Sequence, residues 1–149
     1  MSETWLAESY SSTSRRHAAV VHDLDSAWLY LHAPSDDPET TAGVDSAAFL
    51  FNLVDTIHVS EVKNYKGGPP PIATPYALPQ AVVVEPARYE WGLVWSDDGE
   101  SILATQDDVA WCFVTPENGN GFCRAIAKSG PWGEPWNQDV FDSINWLRE

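Results

Sequence analysis

Residues 91–127, WGLVWSDDGESILATQDDVAWCFVTPENGNGFCRAIA, decide the fold class of this chain. Three turn signals divide the stretch: Ser96-Asp97-Asp98-Gly99-Glu100, Gln106-Asp107-Asp108 and Asn118-Gly119-Asn120-Gly121. Glycine takes a positive φ without steric cost and Asp or Asn tolerates it, so these are hairpin connections. The apolar runs between them predict a meander of strands over Trp91–Trp95, Ser101–Thr105, Val109–Val114 and Phe122–Ala127. Trp91, Leu93 and Trp95 share one face of the first run, and Gly92 and Val94 the other. In the third run Val109, Trp111 and Phe113 alternate with Ala110, Cys112 and Val114. Both faces are apolar, so other segments must cover the sheet on both sides.

Upstream, Arg16–His22 and Ala27–Ala33 flank the turn Asp23-Leu24-Asp25-Ser26 and read as a hairpin. With Leu24-Asp25 at the tip, Val20 faces Leu29 and Ala18 faces Leu31. The opposite face then sets Val21, Ala19 and His17 against Trp28, Tyr30 and His32. This register puts two imidazoles side by side. His17, Trp28, Tyr30 and His32 are therefore candidate residues for a small ligand or a metal, although no third metal ligand accompanies the histidines. Ordinary half-buried histidines are the plainer reading of the same pattern.

Met1–Ser14 reads as a flexible, Ser/Thr-rich arm from which Trp5, Leu6 and Tyr10 can tuck onto the body, with residues 15–149 as a single domain. Pro34–Val44 is an acidic loop. Ala47–Val54 suits either a buried strand or a short helix capped by Asp45. Its Phe and Val content, and the alternation of Thr56-Ile57-His58-Val59-Ser60, favour strands with a kink near Asp55. Asp55 and His58 form a possible acid–base pair with no nucleophile beside them, and a turn-capping Asp next to a hydrogen-bonded His explains them equally. Asn64–Pro79, with Gly67-Gly68-Pro69-Pro70-Pro71, Pro75 and Pro79, reads as an extended surface crossing. Ala81–Glu85 reads as a strand leading into the meander.

Downstream, Gln138–Leu147 is the clearest helix. Asn137 is its N-cap, Asp139 suits the positive end of its dipole, and Trp136 staples onto Phe141. Val140, Phe141, Ile144 and Leu147 fall on the face that packs, and Trp146 lies off it. The expected fold is mainly β (α+β). It is an antiparallel meander sheet or partly open barrel of about seven or eight strands, closed by a C-terminal helix.

Composition bounds function more than any motif does. The chain has 149 residues, 44% of them hydrophobic, which is the make-up of one folded domain. Its net charge is −14 with only eight Lys and Arg. That balance argues against nucleic acid and anionic membranes as direct ligands; it would steer a basic protein partner to this surface, and charge that merely keeps the protein soluble explains it equally. Asp97, Asp98, Glu100 and the off-stripe Trp146 are the candidate partner-binding residues. Eight tryptophans fit either a Trp-rich core or an interface. No signal peptide or apolar span stands out, so the expectation is a cytoplasmic protein with reduced thiols.

Cys112 and Cys123 fall opposite each other if their loop centres near Glu117-Asn118, and separate if it centres on Asn118-Gly119. Two buried thiols are expected. Phosphate-binding glycine loops, nucleophile elbows, HExxH and Cys/His zinc spacings are missing from the sequence. The Asp97-Asp98-Gly99-Glu100 tip lacks the spacing of a calcium loop. No cofactor is implied, and no set of residues amounts to an active site.

Four blocks of the chain resemble a small uncharacterised bacterial family, the domain of unknown function 2251. They are Val20–Ala33, Leu53–Val62 (Leu-Val-Asp-Thr-Ile-His-Val-Ser-Glu-Val), Val94–Gly99 (Val-Trp-Ser-Asp-Asp-Gly) and Gly121–Arg124 (Gly-Phe-Cys-Arg). The Pro-rich insertion at Pro69–Pro79 and the Val109-Ala110-Trp111-Cys112 pattern depart from the family. The resemblance implies no activity, cofactor or catalytic residue. It adds a name and no mechanism.

Overall fold

A computed structural model describes residues 3–65, 69–116 and 121–147. The chain is mainly β, as the alternation predicts, but its strands divide between two sheets and close no barrel. The first sheet runs in order β1 (Thr4–Ser11), β2 (Arg16–His22), β3 (Ser26–His32) and β4 (Val44–Asn52). The second runs β5 (Trp91–Trp95), β6 (Ile102–Gln106), β7 (Val109–Val114), β8 (Phe122–Cys123) and β9 (Glu134–Pro135). All neighbours are antiparallel except β8 and β9, which pair in parallel.

The β2–β3 hairpin has the register its sequence implies, with Ala18 opposite Leu31 and Val20 opposite Leu29. Those four side chains point inward, where they meet Ala48 and Leu50 of β4 and Ile102, Ala104 and Val114 of the second sheet. Ala104 faces Cys112 across β6–β7, and the next pair is Thr105 with Ala110, so Trp111 is a bulge residue. The bulge turns Trp111 into the layer between the sheets, where its Nε1 donates to Leu50 O at 3.0 Å. Cys112 pairs with Cys123 across β7–β8, and both are fully buried free thiols. The turn at Asn118-Gly119-Asn120 that connects them lies outside the described residues.

Four expectations are corrected. Thr4–Ser11 is a strand and not part of a loose arm, because it pairs along the whole of β2. A bulge between Trp5 and Ala7 breaks its alternation, so its period is hidden in the sequence. Residues 56–60 hold no strand; a single turn of helix, α1 (Val59–Val62), forms there. Phe122–Ala127 is strand for two residues only, after which Cys123 O accepts the Ile126 N–H in a turn. Ala81–Glu85 is not a strand. Its Val83 N–H donates to Asn52 O at 2.7 Å, extending β4 by one contact.

The Pro-rich crossing contributes to the core. Ile72, Ala73 and Ala81 are fully buried, and the buried Asn52 side chain receives Ile72 N–H at 2.9 Å through Oδ1. Gly67-Gly68 lies outside the described residues. At the other end, the helix is shorter than Gln138–Leu147: α2 spans Gln138–Asp142. Asn137 caps it as expected, accepting Val140 N–H at 3.1 Å. Beyond it the chain turns so that Leu147 N–H reaches Trp95 O at 2.8 Å, which ends the helix in favour of the sheet edge.

Seven of the eight tryptophans are buried or half-buried, and only Trp5 is exposed, at 52%. The surplus is therefore largely core. No helix among the described residues is long and apolar enough to cross a membrane.

Candidate functional site

The outer face of the first sheet carries a cleft of about 560 Å³. Its walls come from β1, β2, β3 and the loop 34–43. On β1, Trp5, Glu8 and Tyr10 pair with Val21, Ala19 and His17 of β2, so all three point outward. Ala19 lies at the floor, and its single methyl leaves the hollow that larger side chains would fill. Glu39 closes the rim from the loop.

His17 and His32 both line this cleft, as the hairpin register implies. They lie in line with the last bridged pair, Ala18 with Leu31. The same loop fixes both rings. His17 Nε2 is 2.6 Å from Pro38 O, and His32 Nδ1 is 2.7 Å from Ala42 O. A carbonyl only accepts, so those nitrogens carry the hydrogens. In each neutral ring the other nitrogen, His17 Nδ1 and His32 Nε2, then holds a lone pair. His17 Nδ1 is buried without a partner, beside the Tyr10 ring at a centroid distance of 4.6 Å. Tyr10 donates its hydroxyl to Ser35 O, which ties the strand to the loop.

Trp28 and Tyr30 share the outer face but do not line the cleft. Trp28 packs edge-on to Phe49 and donates Nε1 to Ser26 Oγ at 3.0 Å. Burial raises the Tyr30 hydroxyl above its usual range, with Glu3 and Asp23 adding to the effect. No three His, Cys, Asp or Glu side chains among the described residues come together to hold a metal.

The expected partner-binding set is mostly occupied within the chain. Asp98 closes its own turn: Oδ1 accepts Ser96 Oγ–H at 2.6 Å and Glu100 N–H at 3.0 Å, which holds its carboxyl below the usual range. Glu100 pairs with Arg16 at 2.9 Å, and Asp45 pairs with the same guanidinium at 2.7 Å. Burial works against the charge on Arg16, but these carboxylates outweigh it and raise its pKa. Trp146 is half-buried against Phe113 and Phe141, with its Nε1 donating to Phe141 O at 3.2 Å. Only Asp97 of the four is exposed with its carboxylate unpaired among the described residues. The sequence hides this because the Glu100–Arg16 pair spans 84 positions.

Asp55 and His58 form no pair. Both are exposed, and His58 instead begins α1, where its N–H donates to Glu61 Oε1 at 3.0 Å. No described cleft contains both.

Sequence reasoning missed Trp5, Glu8, Tyr10 and Glu39. The first three lie on a strand whose alternation the bulge disrupts, and Glu39 lies on a loop without periodicity. The order Glu8-x-Tyr10 after the bulge was the one available signal. Comparison with family models, curated proteins and solved structures finds no match to this chain.

Proposed function

We propose that this chain is a non-catalytic module that binds a basic protein, in the manner of an acidic inhibitor that occludes a cationic surface. The observation that carries the reading is the disposition of charge. Five of its eight cations have partners within the chain: Arg15, Arg16 and Arg88 pair with carboxylates, and Arg124 and Lys128 lie over the Trp136 and Tyr76 rings. With 22 Asp and Glu against eight Lys and Arg, most carboxylates have no cation to pair with, and the net charge of −14 favours a cationic partner.

The open face of the first sheet is the surface best suited to a partner. Glu3, Glu8, Asp37 and Glu39 are exposed there or on its bordering loop, around the exposed Trp5. An exposed aromatic ringed by one sign of charge is the arrangement that anchors and steers a complementary protein. The resemblance to the domain of unknown function 2251 is compatible with this proposal and lends it no activity.

The test compares the wild-type chain with Glu3→Gln/Glu8→Gln/Glu39→Gln as baits in lysate, at low and high salt. The reading predicts a basic protein that the wild type captures at low salt, with retention reduced at least about tenfold at high salt and in the triple variant. Salt-independent capture, or equal capture by the variant, would contradict it.

A further inference from the structure

We infer that the cleft beneath the loop 34–43 receives one alkylammonium or guanidinium group, the side chain of a lysine or arginine on the basic partner. The inference rests on the protein-binding reading and narrows it to one pocket and one ligand chemistry.

Three observations converge on a cation. The first is the set of charged groups that line the cleft: Glu8 and Glu39, with no lysine or arginine. Arg16, the nearest residue in sequence, faces the opposite side of β2 and is held by Asp45 and Glu100. The second is the state of the histidines. Each spends one N–H on a loop carbonyl, so that nitrogen is not free to donate to a ligand. Tyr10 spends its hydroxyl hydrogen on Ser35 O. The charged groups of the cleft are thus all carboxylates, and an anion would meet like charge there. The third is the aromatic wall. Trp5 and Tyr10 flank the opening, and an aromatic face attracts a cation within about 6 Å of its centroid.

A bare metal ion fits less well, since the described residues bring no three ligating side chains together. Size agrees too. A volume of about 560 Å³ accommodates a side chain rather than a folded element.

The test uses the full chain and two probes at physiological salt. Agmatine presents an alkylguanidinium, and pentylurea presents a neutral group of similar shape. Both are titrated into the isotope-labelled protein and followed by amide and imidazole NMR shifts. The expected result is saturable agmatine binding with shifts confined to β1, β2 and residues 34–43, and no binding of the urea. Glu8→Gln/Glu39→Gln should weaken agmatine at least tenfold while the rest of its spectrum matches wild type. Trp5→Ala should weaken it several-fold, separating the aromatic contribution from charge. Absent saturation, equal binding of the urea, or unchanged affinity in the double variant would overturn the inference. Those outcomes leave salt-sensitive capture of a basic protein intact, whereas agmatine binding without such capture would overturn the protein-binding reading instead.

Discussion

The two sheets of this chain treat their outer faces in opposite ways. The second sheet covers the centre of its face with its own C-terminal segment, leaving beside it a cleft of about 590 Å³ lined by Val94, Leu103 and Ala110. Phe113 lies at the centre, fully buried, with Phe122, Trp136, Phe141 and Trp146 ring centroids 4.9, 5.2, 5.8 and 5.9 Å away. The first sheet leaves its face open. Over β1 and β2 its positions carry Glu8, Tyr10, His17 and Ala19, with His32 beside them, and a rim of acidic loop tied to the histidines borders them, whereas Phe49 on the β4 side is fully buried. The contrast shows how one alternating pattern builds a core side and, on the other side, either a second core or a site. What decides is whether a later segment supplies aromatic cover.

Breaking the sealed face should cost most. Phe113→Ala removes the ring on which four others pack, and we expect a loss of about 3–5 kcal/mol in urea or thermal unfolding. A loss below about 1 kcal/mol would mean that the C-terminal segment does not seal that face.

The layer between the sheets offers a second comparison. Cys112 and Cys123 face each other there, with sulfurs against Phe49 O and Leu50 O. Burial pushes the Cys112 thiol well above its usual range, and the neighbouring Cys123 adds to the effect. A thiol reagent should therefore label neither cysteine until the sheets part. We expect native labelling slowed on the order of a thousandfold against the denatured chain. Rapid native labelling would place the thiols at a surface.

Smaller effects belong to the β5–β6 turn, which packs against the first sheet. Gly99 holds φ 73° at its tip, and a Cβ there would lie 2.5 Å from Ser11 Oγ. The turn therefore docks closely on the β1–β2 connection. Asp98 closes it as a carboxylate whose pKa is lowered by the Ser96 hydroxyl and the Glu100 N–H. A lowered carboxylate contributes stability that is present above its unfolded value, about 4, and is lost as pH falls through the lower folded value. Asp98→Asn should thus flatten the loss of stability below about pH 4 and leave the neutral-to-alkaline limb unchanged.

The smallest effect is expected on the open face. Trp5→Ala removes a ring already 52% exposed, and its cost should stay below about 1 kcal/mol, far under that of Phe113→Ala. A cost near that of Phe113→Ala would mean that Trp5 is a core residue and that the first sheet is sealed after all.

Much of this division was legible in the residues. Period-two alternation and an Asp-Leu-Asp-Ser turn placed His17 beside His32 correctly, because a hairpin register follows from its tip. The capping of α2 by Asn137 through the Val140 N–H, and the approach of Trp136 to Phe141, followed from local chemistry alone. The cleft itself was not legible. Trp5, Glu8 and Tyr10 are brought to it by a strand whose bulge hides its period, and Glu100 is taken up by Arg16 across 84 positions, a contact that sequence does not encode locally. The Pro-rich crossing misled for a related reason. Composition suggested a surface loop, whereas Asn52 draws Ile72 into the core through one buried amide.

Amide hydrogen exchange of the chain, alone and in the presence of a basic protein recovered by salt-sensitive capture, tests the central claim most directly. The account predicts slowed exchange in Thr4–Ser11 and residues 34–43, with residues 96–100 and 136–147 unchanged. Slowing confined to 96–100 and 136–147, with the first sheet's face unaffected, would contradict it.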